Sequence, residues 1–176
     1  MQLSEAAHRL LEILDPEGVL IGGLCGAIYG VERYTRDIDI AITLDPETII
    51  SRLQGEGIKA AVRHSNEPGD LPWVVHGAIE GIEFQLLPAS ETGISIDAFV
   101  IKAGLRVADI ESFITSKCIA AGQQDMHDVA ALCLLNPELL PVAREKASQH
   151  GCLCKLEDWL ADRRLQQRYS HTSDTL

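Results

Sequence analysis

The chain has 176 residues, of which 46% are hydrophobic and 23% are charged, the composition of an ordinary globular domain with a sizeable core. Its formal net charge of −11 argues against non-specific binding of nucleic acid, which requires a basic face. No apolar run approaches the roughly 18 residues of a membrane span, and the amino-terminal segment lacks the pattern of a secretory signal. With five cysteines and no Cys-x-x-Cys pair, we expect reduced thiols in a cytoplasmic protein without membrane contact.

Hydrophobic periodicity predicts the elements of the first half of the chain in order. A helix is expected over Ser4–Leu14, where leucines recur on one face. The next elements are a strand at Val19–Ile21, a short helix at Leu24–Tyr29, a strand at Ile38–Thr43, a helix at Pro46–Gln54 and a strand at Ile58–Arg63. Two further strands, Trp73–Ile79 and Ile82–Leu87, flank Glu80-Gly81 and are expected to form a hairpin.

Beyond this hairpin the pattern changes to helices. They are expected at Asp109–Ala121, Asp125–Leu135, Glu138–His150 and Leu156–Tyr169, with Asp125 as an N-cap. The fold class is therefore α+β: a small mixed β-sheet with helices on one face, followed by a helical C-terminal part. We expect a core domain over residues 1–135, a helical extension over 136–169 packed on it, and a frayed tail over 170–176.

The segment Val19–Ile42 carries the motif with chemical meaning. Asp37 and Asp39 lie two residues apart on a predicted strand, so both side chains point to the same face. Two adjacent like charges favour a cation between them, and carboxylate oxygens suit Mg²⁺ or Mn²⁺. Upstream, Gly22-Gly23 allows close approach of a phosphate before a helix start that attracts anions. The combination is typical of phosphoryl-group transfer.

The order of an apolar run, Gly22-Gly23, thirteen residues and Asp37-Ile38-Asp39 resembles the signature of the nucleotidyltransferase superfamily with the polymerase-beta-like fold. Within it, the string Arg33–Asp39 is similar to the AbiEii-like toxin branch and to related bacterial nucleotidyltransferase-like proteins. A second block, Val107–Leu135, is similar to a helical segment of that branch in which a lysine precedes Ala-Gly and an Asp-x-x-Asp pair. The matching positions here are Lys117, Ala121-Gly122, Asp125 and Asp128.

The resemblance implies an enzyme that transfers a nucleoside monophosphate from a nucleoside triphosphate to a hydroxyl of a protein, an RNA or a small molecule. Asp37 and Asp39 would be the catalytic residues and would bind Mg²⁺ or Mn²⁺. The nucleotide would be bound by Gly22, Gly23, Arg33 and Lys117. The resemblance also permits a toxin role with an antitoxin partner. For Arg33 the alternative is an ordinary surface charge or an ion pair with Asp37, and for Lys117 it is a solvent-facing lysine on a helix.

Active members of this family carry a third carboxylate on a later strand, here Gly81–Leu87. The corresponding residue is Gln85, which is neutral and a poor general base. Glu83 lies two residues earlier on the same face, and Asp97 is a more distant candidate. Three hypotheses therefore remain open. The first is an active nucleotidyltransferase, and the second is a non-catalytic nucleotide-binding or partner-binding module that lost the third acid. The third is an antitoxin or scaffold whose acidic surface pairs with a basic partner.

Overall fold

The computed structural model describes residues 2–170. Its strands are β1 (Gly18–Ile21), β2 (Asp37–Ile42), β3 (Ala60–His64), β4 (Trp73–Ile79), β5 (Ile82–Pro88), β6 (Phe99–Lys102) and β7 (Leu105–Ala108). Its helices are α1 (Leu3–Ile13), α2 (Gly22–Ile28), α3 (Pro46–Gly55), α4 (Ala89–Thr92), α5 (Ile110–Ala120), α6 (Gln123–Leu135), α7 (Leu140–Gln149), α8 (Leu153–Leu160) and α9 (Arg163–Ser170). A 3₁₀ turn at Pro137–Leu139 precedes α7. None of the helices in this part of the chain is long and apolar enough to cross a membrane.

The described strands form one mixed sheet in the order β3-β4-β5-β2-β1-β7-β6. The pairs β2–β5 and β1–β7 are parallel, whereas the other neighbouring pairs are antiparallel. Helices α5 to α9 follow the last strand and pack on one another. The expected α+β class with a mixed sheet and a helical C-terminal part is confirmed.

Alternation along β2 separates the core from the candidate site. Ile38 and Ile40 are fully buried, while Asp37 and Asp39 on the same strand remain partly exposed. Helix α1 covers the apolar face, because Leu11 and Leu14 lie beside Gly18 of β1 together with Ile40. The opposite face of the sheet is therefore the one that presents the carboxylates.

Two predicted helices have different bounds. The short helix after β1 begins at Gly22 and not at Leu24, so the paired glycines form its first turn. The single helix expected over Leu156–Tyr169 is wrong, since α8 ends at Leu160 and α9 begins at Arg163. The break has a local cause: the Asp162 carboxylate accepts the backbone N–H groups of Arg164 and Leu165, both at 2.9 Å, and so caps a new helix.

The β6–β7 hairpin was not predicted from the sequence. Its turn is Ala103-Gly104, and both residues have positive φ, at 52° and 77°. Two central residues with positive φ form the tight turn that joins antiparallel strands. The sequence signal for it was a glycine at the second turn position between two short apolar runs. A frayed tail was expected over residues 170–176. Residues 171–176 lie outside the part of the chain that the structure describes.

Candidate functional site

The glycine turn and Asp39 are in direct contact. Residue 39 is the register partner of Ile21, the last residue of β1, so its side chain lies beside the turn. A Cβ on Gly22, where φ is +66°, would lie 2.0 Å from Asp39 Oδ2. The backbone N–H of Gly23 donates a hydrogen bond to the same carboxylate. Glycine at position 22 thus allows both the left-handed backbone and the close approach of the acid.

Asp37 and Asp39 form a repulsive electrostatic pair on one face of β2. Burial and, second to it, the negative charge of Asp37 raise the pKa of Asp39 to about 6. The cations Lys117 and Arg33 act in the opposite direction, but they do not restore the ordinary value. Asp37 accepts a hydrogen bond of 3.0 Å from the Thr35 hydroxyl, which orients it. The pair is therefore arranged to favour an added positive charge.

Arg33 lies above the glycine turn. A Cβ on Gly23 would lie 2.6 Å from Arg33 Nη2 and 2.7 Å from the Thr35 hydroxyl, so a side chain there would displace these two groups. Arg33 Nη1 forms an ion pair of 2.9 Å with Asp128 Oδ2. By contrast, Arg36 is exposed and lies against the ring of Tyr34, away from this cluster.

Lys117 projects from α5 into the same cluster and is only 6% exposed. Its Nζ lies 2.8 Å from Asp125 Oδ1 and 3.0 Å from Asp128 Oδ2. Burial lowers the pKa of Lys117, but these two carboxylates outweigh burial and raise it. The alternative of a solvent-facing lysine is therefore excluded by its position.

Asp125 is not the N-cap of α6. Gly122 holds that position, and Asp125 is the third helical residue, whose carboxylate accepts the Gly122 backbone N–H at 3.2 Å. In this position the other oxygen of Asp125 binds Lys117. One side chain therefore caps the helix and pairs with a buried cation.

Asp128 is the residue whose part in the site was not assigned from the sequence. It is fully buried, and one carboxylate oxygen binds both Arg33 and Lys117. The other oxygen accepts a hydrogen bond of 3.0 Å from Gln124. Burial raises its pKa, yet Lys117 and the hydrogen bonds outweigh burial and lower it. The available signal was the Asp-x-x-Asp spacing, which puts Asp128 on the same face of α6 as Asp125.

A cleft of about 570 Å³ opens over this cluster. Gly22 and Asp39 line it from the sheet, and Lys117 and Asp125 line it from the helical part. Residues 69–71, in the loop between β3 and β4, complete its edge. The structure therefore brings the six predicted site residues to one end of β1 and β2, where Asp37 is the first residue of β2. The other five are Gly22, Gly23, Arg33, Asp39 and Lys117.

The neighbouring strand places two more polar side chains beside the carboxylates. In the parallel β2–β5 register, Glu83 is the partner of Asp37 and Gln85 is the partner of Asp39. Both side chains are exposed. The residue beside Asp39 is thus the neutral Gln85, and the carboxylate of Glu83 lies beside Asp37 instead.

The excess negative charge of the cluster suits one divalent cation whose coordination is completed by oxygens of a bound ligand. Two cations, Arg33 and Lys117, face four carboxylates, those of Asp37, Asp39, Asp125 and Asp128. Within residues 2–170, however, no three His, Cys, Asp or Glu side chains come together in a metal-holding group. Mg²⁺ fits such a site when other oxygens, such as those of a phosphate, complete its coordination.

The C-terminal helix holds the loop that carries Arg33. The backbone N–H of Glu32 donates to the Tyr169 hydroxyl at 2.9 Å, and the Glu32 carboxylate pairs with Arg168 at 3.2 Å. Tyr169 is 3% exposed, so this anchor is built into the packing of α9. The position of Arg33 therefore depends on the helical part as well as on the sheet.

No protein-family model matches the sequence, and no curated protein matches it. Among solved structures, JHP933 from Helicobacter pylori is similar over 98% of this chain and 96% of its own, at 14% identity and a TM-score of 0.44. A protein of H. pylori provisionally named a nucleotidyltransferase matches over 98% and 99%, at 13% identity and a TM-score of 0.41. The antibiotic-resistance factor ANT(2'')-Ia matches over 98% and 97%, at 16% identity and a TM-score of 0.49. Function is therefore inferred from the geometry of the site alone.

Proposed function

We propose that the protein is a metal-dependent nucleotidyltransferase that transfers a nucleoside monophosphate from a nucleoside triphosphate to a hydroxyl. The observation that carries the proposal is the contact between the glycine turn and Asp39, with Arg33 and Lys117 beside the same carboxylate. A paired acid against a glycine turn and two cations held in place suit phosphoryl transfer, whose catalysis depends on positioning and on stabilising charge.

Each group has a role in this proposal. Gly22 and Gly23 leave room for Asp39 and Arg33 to lie against the backbone, and the phosphate oxygens would bind beside these two groups. Arg33 and Lys117 contact the phosphates, and Asp128 holds both cations in place before the nucleotide arrives. Asp37 and Asp39 would hold Mg²⁺ or Mn²⁺, which when bound neutralises phosphate charge and polarises the phosphoryl group.

The proposed donor and acceptor follow from this chemistry, and the proposed antitoxin partner follows from the resemblance of Arg33–Asp39 to the AbiEii-like branch. A nucleoside triphosphate is the donor, and a protein, an RNA or a small molecule supplies the hydroxyl. A toxin role with an antitoxin partner, as in the AbiEii-like branch, belongs to the same proposal. We also propose that residues 1–135 form the nucleotidyltransferase core and that 136–169 are an extension that positions it, which the Tyr169–Glu32 contact supports.

A second candidate function is favoured by one observation. Gln85 stands beside Asp39, where a third carboxylate would be expected. A neutral amide cannot act as a general base, so the same site could bind nucleotide without turnover. This candidate is a nucleotide-binding or partner-binding module.

Two measurements test the proposal. Thermal unfolding is followed with ATP, CTP, GTP and UTP, with and without Mg²⁺ or Mn²⁺, because a ligand of the native state raises stability by mass action. Transfer is then assayed with the α-³²P-labelled form of the nucleotide that gives the largest shift. The active enzyme shows both binding and labelled product, whereas the binding module shows binding alone.

Matched variants separate the two candidates. In an active enzyme that uses Glu83 as the missing acid, Glu83→Gln abolishes transfer but leaves nucleotide binding. In the inactive module, Gln85→Asp strengthens metal binding by adding a carboxylate beside Asp39. A protein that neither binds nor transfers any of the four nucleotides contradicts both nucleotide functions. Robust transfer by the Asp37→Ala/Asp39→Ala double variant would show that the site lies elsewhere.

A further inference from the structure

A row of polar side chains crosses three strands beside the candidate site. In the β4–β5 register His76 is the partner of Gln85, and Gln85 is in turn the partner of Asp39 on β2. Register partners point to the same face, and neighbouring strands are about 4.8 Å apart. Asp39, Gln85 and His76 therefore stand side by side on the face of the sheet that presents the carboxylates.

This part of the face has its own depression, separate from the cleft over Lys117. It has a volume of about 540 Å³, and its polar lining residues are Arg63, His76, Glu83 and Gln85. All four side chains are exposed. Among the described residues, His76 and Gln85 make no side-chain hydrogen bond or ion pair, so both are free to contact a ligand. Gln85, which lines this depression, and Asp39, which lines the cleft, are register partners on neighbouring strands.

We infer that the depression over β4 and β5 binds the hydroxyl-bearing acceptor and that His76 is the general base that takes the acceptor proton. The inference rests on the proposed nucleotidyltransferase function. A nucleotide held over Gly22 and Lys117 on one side of Asp39 leaves the other side, above Gln85, for the attacking group. In-line displacement requires this separation, because nucleophile and leaving group lie on opposite sides of the phosphorus.

In this proposal Gln85 orients the acceptor hydroxyl and His76 removes its proton. The Gln85 amide N–H group donates a hydrogen bond to the acceptor oxygen and orients it, which leaves the hydroxyl proton free to point at the next side chain in the row. That side chain is His76, whose unprotonated ring nitrogen can accept the proton and so act as a base. Glu83 stands in the adjacent row beside Asp37, from which it faces the carboxylate pair.

The proposed step is balanced. The acceptor oxygen forms a bond to the α-phosphorus while the bond from that phosphorus to the pyrophosphate oxygen breaks. Pyrophosphate leaves with the electron pair of the broken bond. The hydroxyl proton passes to the unprotonated ring nitrogen of His76 and from there to solvent.

The test compares wild type with His76→Ala and His64→Ala. The control residue is also an exposed histidine, on β3 at the edge of the same sheet, but alternation from Arg63 places it on the opposite face. Transfer from the α-³²P-labelled nucleotide is measured with water and with concentrated glycerol as acceptors, and the two products are separated. Each reaction is repeated with added imidazole, and nucleotide affinity is measured by calorimetry.

We expect His76→Ala to lower transfer to both acceptors by about 100-fold or more, a typical contribution of a general base. Imidazole should restore part of the rate, nucleotide affinity should change less than about twofold, and His64→Ala should resemble wild type. Full activity of His76→Ala, or equal losses in both histidine variants, overturns the inference while leaving the proposed function intact. A large loss in Glu83→Gln without one in His76→Ala assigns the base to Glu83. Absence of transfer by wild type contradicts the proposed enzymatic function, and this inference with it.

Discussion

The carboxylate of Asp39 occupies the space that a side chain on residue 22 would need. A Cβ on Gly22 would lie 2.0 Å from Asp39 Oδ2 and 2.7 Å from its Cβ. The glycine turn and Asp39 therefore form one packed unit, in which residue 22 cannot carry a side chain while Asp39 keeps its position. This coupling makes the site sensitive to the smallest substitution.

We expect Gly22→Ala to destabilise the protein by more than about 2 kcal/mol. The left-handed backbone alone costs a non-glycine residue about 1–2 kcal/mol, and the collision with Asp39 adds to this. Nucleotide binding should be lost as well, because relief of the collision displaces the carboxylate. Chemical denaturation and the nucleotide thermal shift measure the two effects.

Gly55→Ala is the matched control. Gly55 ends α3, has no positive φ, and has no atom within 4 Å of the position that an added methyl group would take. Here alanine should stabilise the protein by about 0.5 kcal/mol, because it restricts the unfolded chain. Equal effects of the two substitutions would contradict the tight contact at the glycine turn.

The raised pKa of Asp39 predicts a pH-dependent effect of Asp39→Asn. With a pKa of about 6 in the folded state, Asp39 binds its proton more tightly there than in the unfolded chain. The stability that Asp39 contributes at low pH is thus lost as the pH rises through 6. Asparagine cannot ionise, so the variant should be more stable than wild type at pH 8 by about 2–3 kcal/mol. At about pH 4.5 the gain should be less than half as large.

Denaturation in EDTA at the two pH values measures this difference without a bound cation. Asp158→Asn, at an exposed position on α8, is the control and should change stability little at either pH. A gain of equal size at the acidic and the alkaline pH would mean that the effect of Asp39→Asn does not come from ionisation.

Asp128 is expected to be the most sensitive charged residue of the cluster. Asp128→Asn removes the anion that binds both Arg33 and Lys117, and Lys117 is 6% exposed. Loss of one partner in a buried ion pair leaves an uncompensated charge, so the variant should be destabilised by about 3 kcal/mol. It should also bind nucleotide more weakly, because neither cation keeps its position.

The exposed pair of Arg144 and Glu157 provides the comparison. Its two hydrogen bonds, of 2.7 and 3.2 Å, are of similar geometry, but both side chains are solvent-accessible. Arg144→Ala should therefore have a much smaller effect than Asp128→Asn. If Asp128→Asn unfolds at the wild-type denaturant concentration, the cluster does not depend on the buried carboxylate.

Divalent cations should bind weakly alone and more tightly with nucleotide. The protein offers the Asp37–Asp39 pair without a third acid or histidine grouped with it in the described part of the chain, so phosphate oxygens must complete the coordination. Titration calorimetry with Mg²⁺, before and after saturation with nucleotide, measures the difference. Tight binding of Mg²⁺ without nucleotide that survives Asp37→Asn would contradict this assignment.

Much of the fold and part of the site follow from local sequence. The alternation around Ile38 and Ile40 predicts that Asp37 and Asp39 share a face, and the burial of β2 confirms it. Glu80-Gly81 predicts the β4–β5 hairpin, whose pairing is observed through Ile79 and Ile82. These features depend only on residues that are close in sequence, because backbone geometry sets the period of side-chain direction, two residues in a strand and 3.6 in a helix.

Other features could not be derived from periodicity. The segment that forms α8 and α9 has the apolar pattern of one continuous helix. It nevertheless forms two, because the Asp162 side chain binds the backbone N–H groups that begin α9. The short strands β6 and β7 carry too few residues for a clear alternation, and pairing across a tight turn stabilises them.

The amino-acid sequence by itself determined which face of β2 carries the carboxylates and that a glycine turn precedes them. Only the tertiary structure decided that Asp128, 95 residues from Arg33, binds that cation together with Lys117. It also decided that Gln85 stands beside Asp39, because the parallel register of β2 and β5 depends on the packing of the whole sheet. The physical reason is that side-chain direction repeats along the backbone, whereas ion pairs and strand register form between segments that only the packed core brings together.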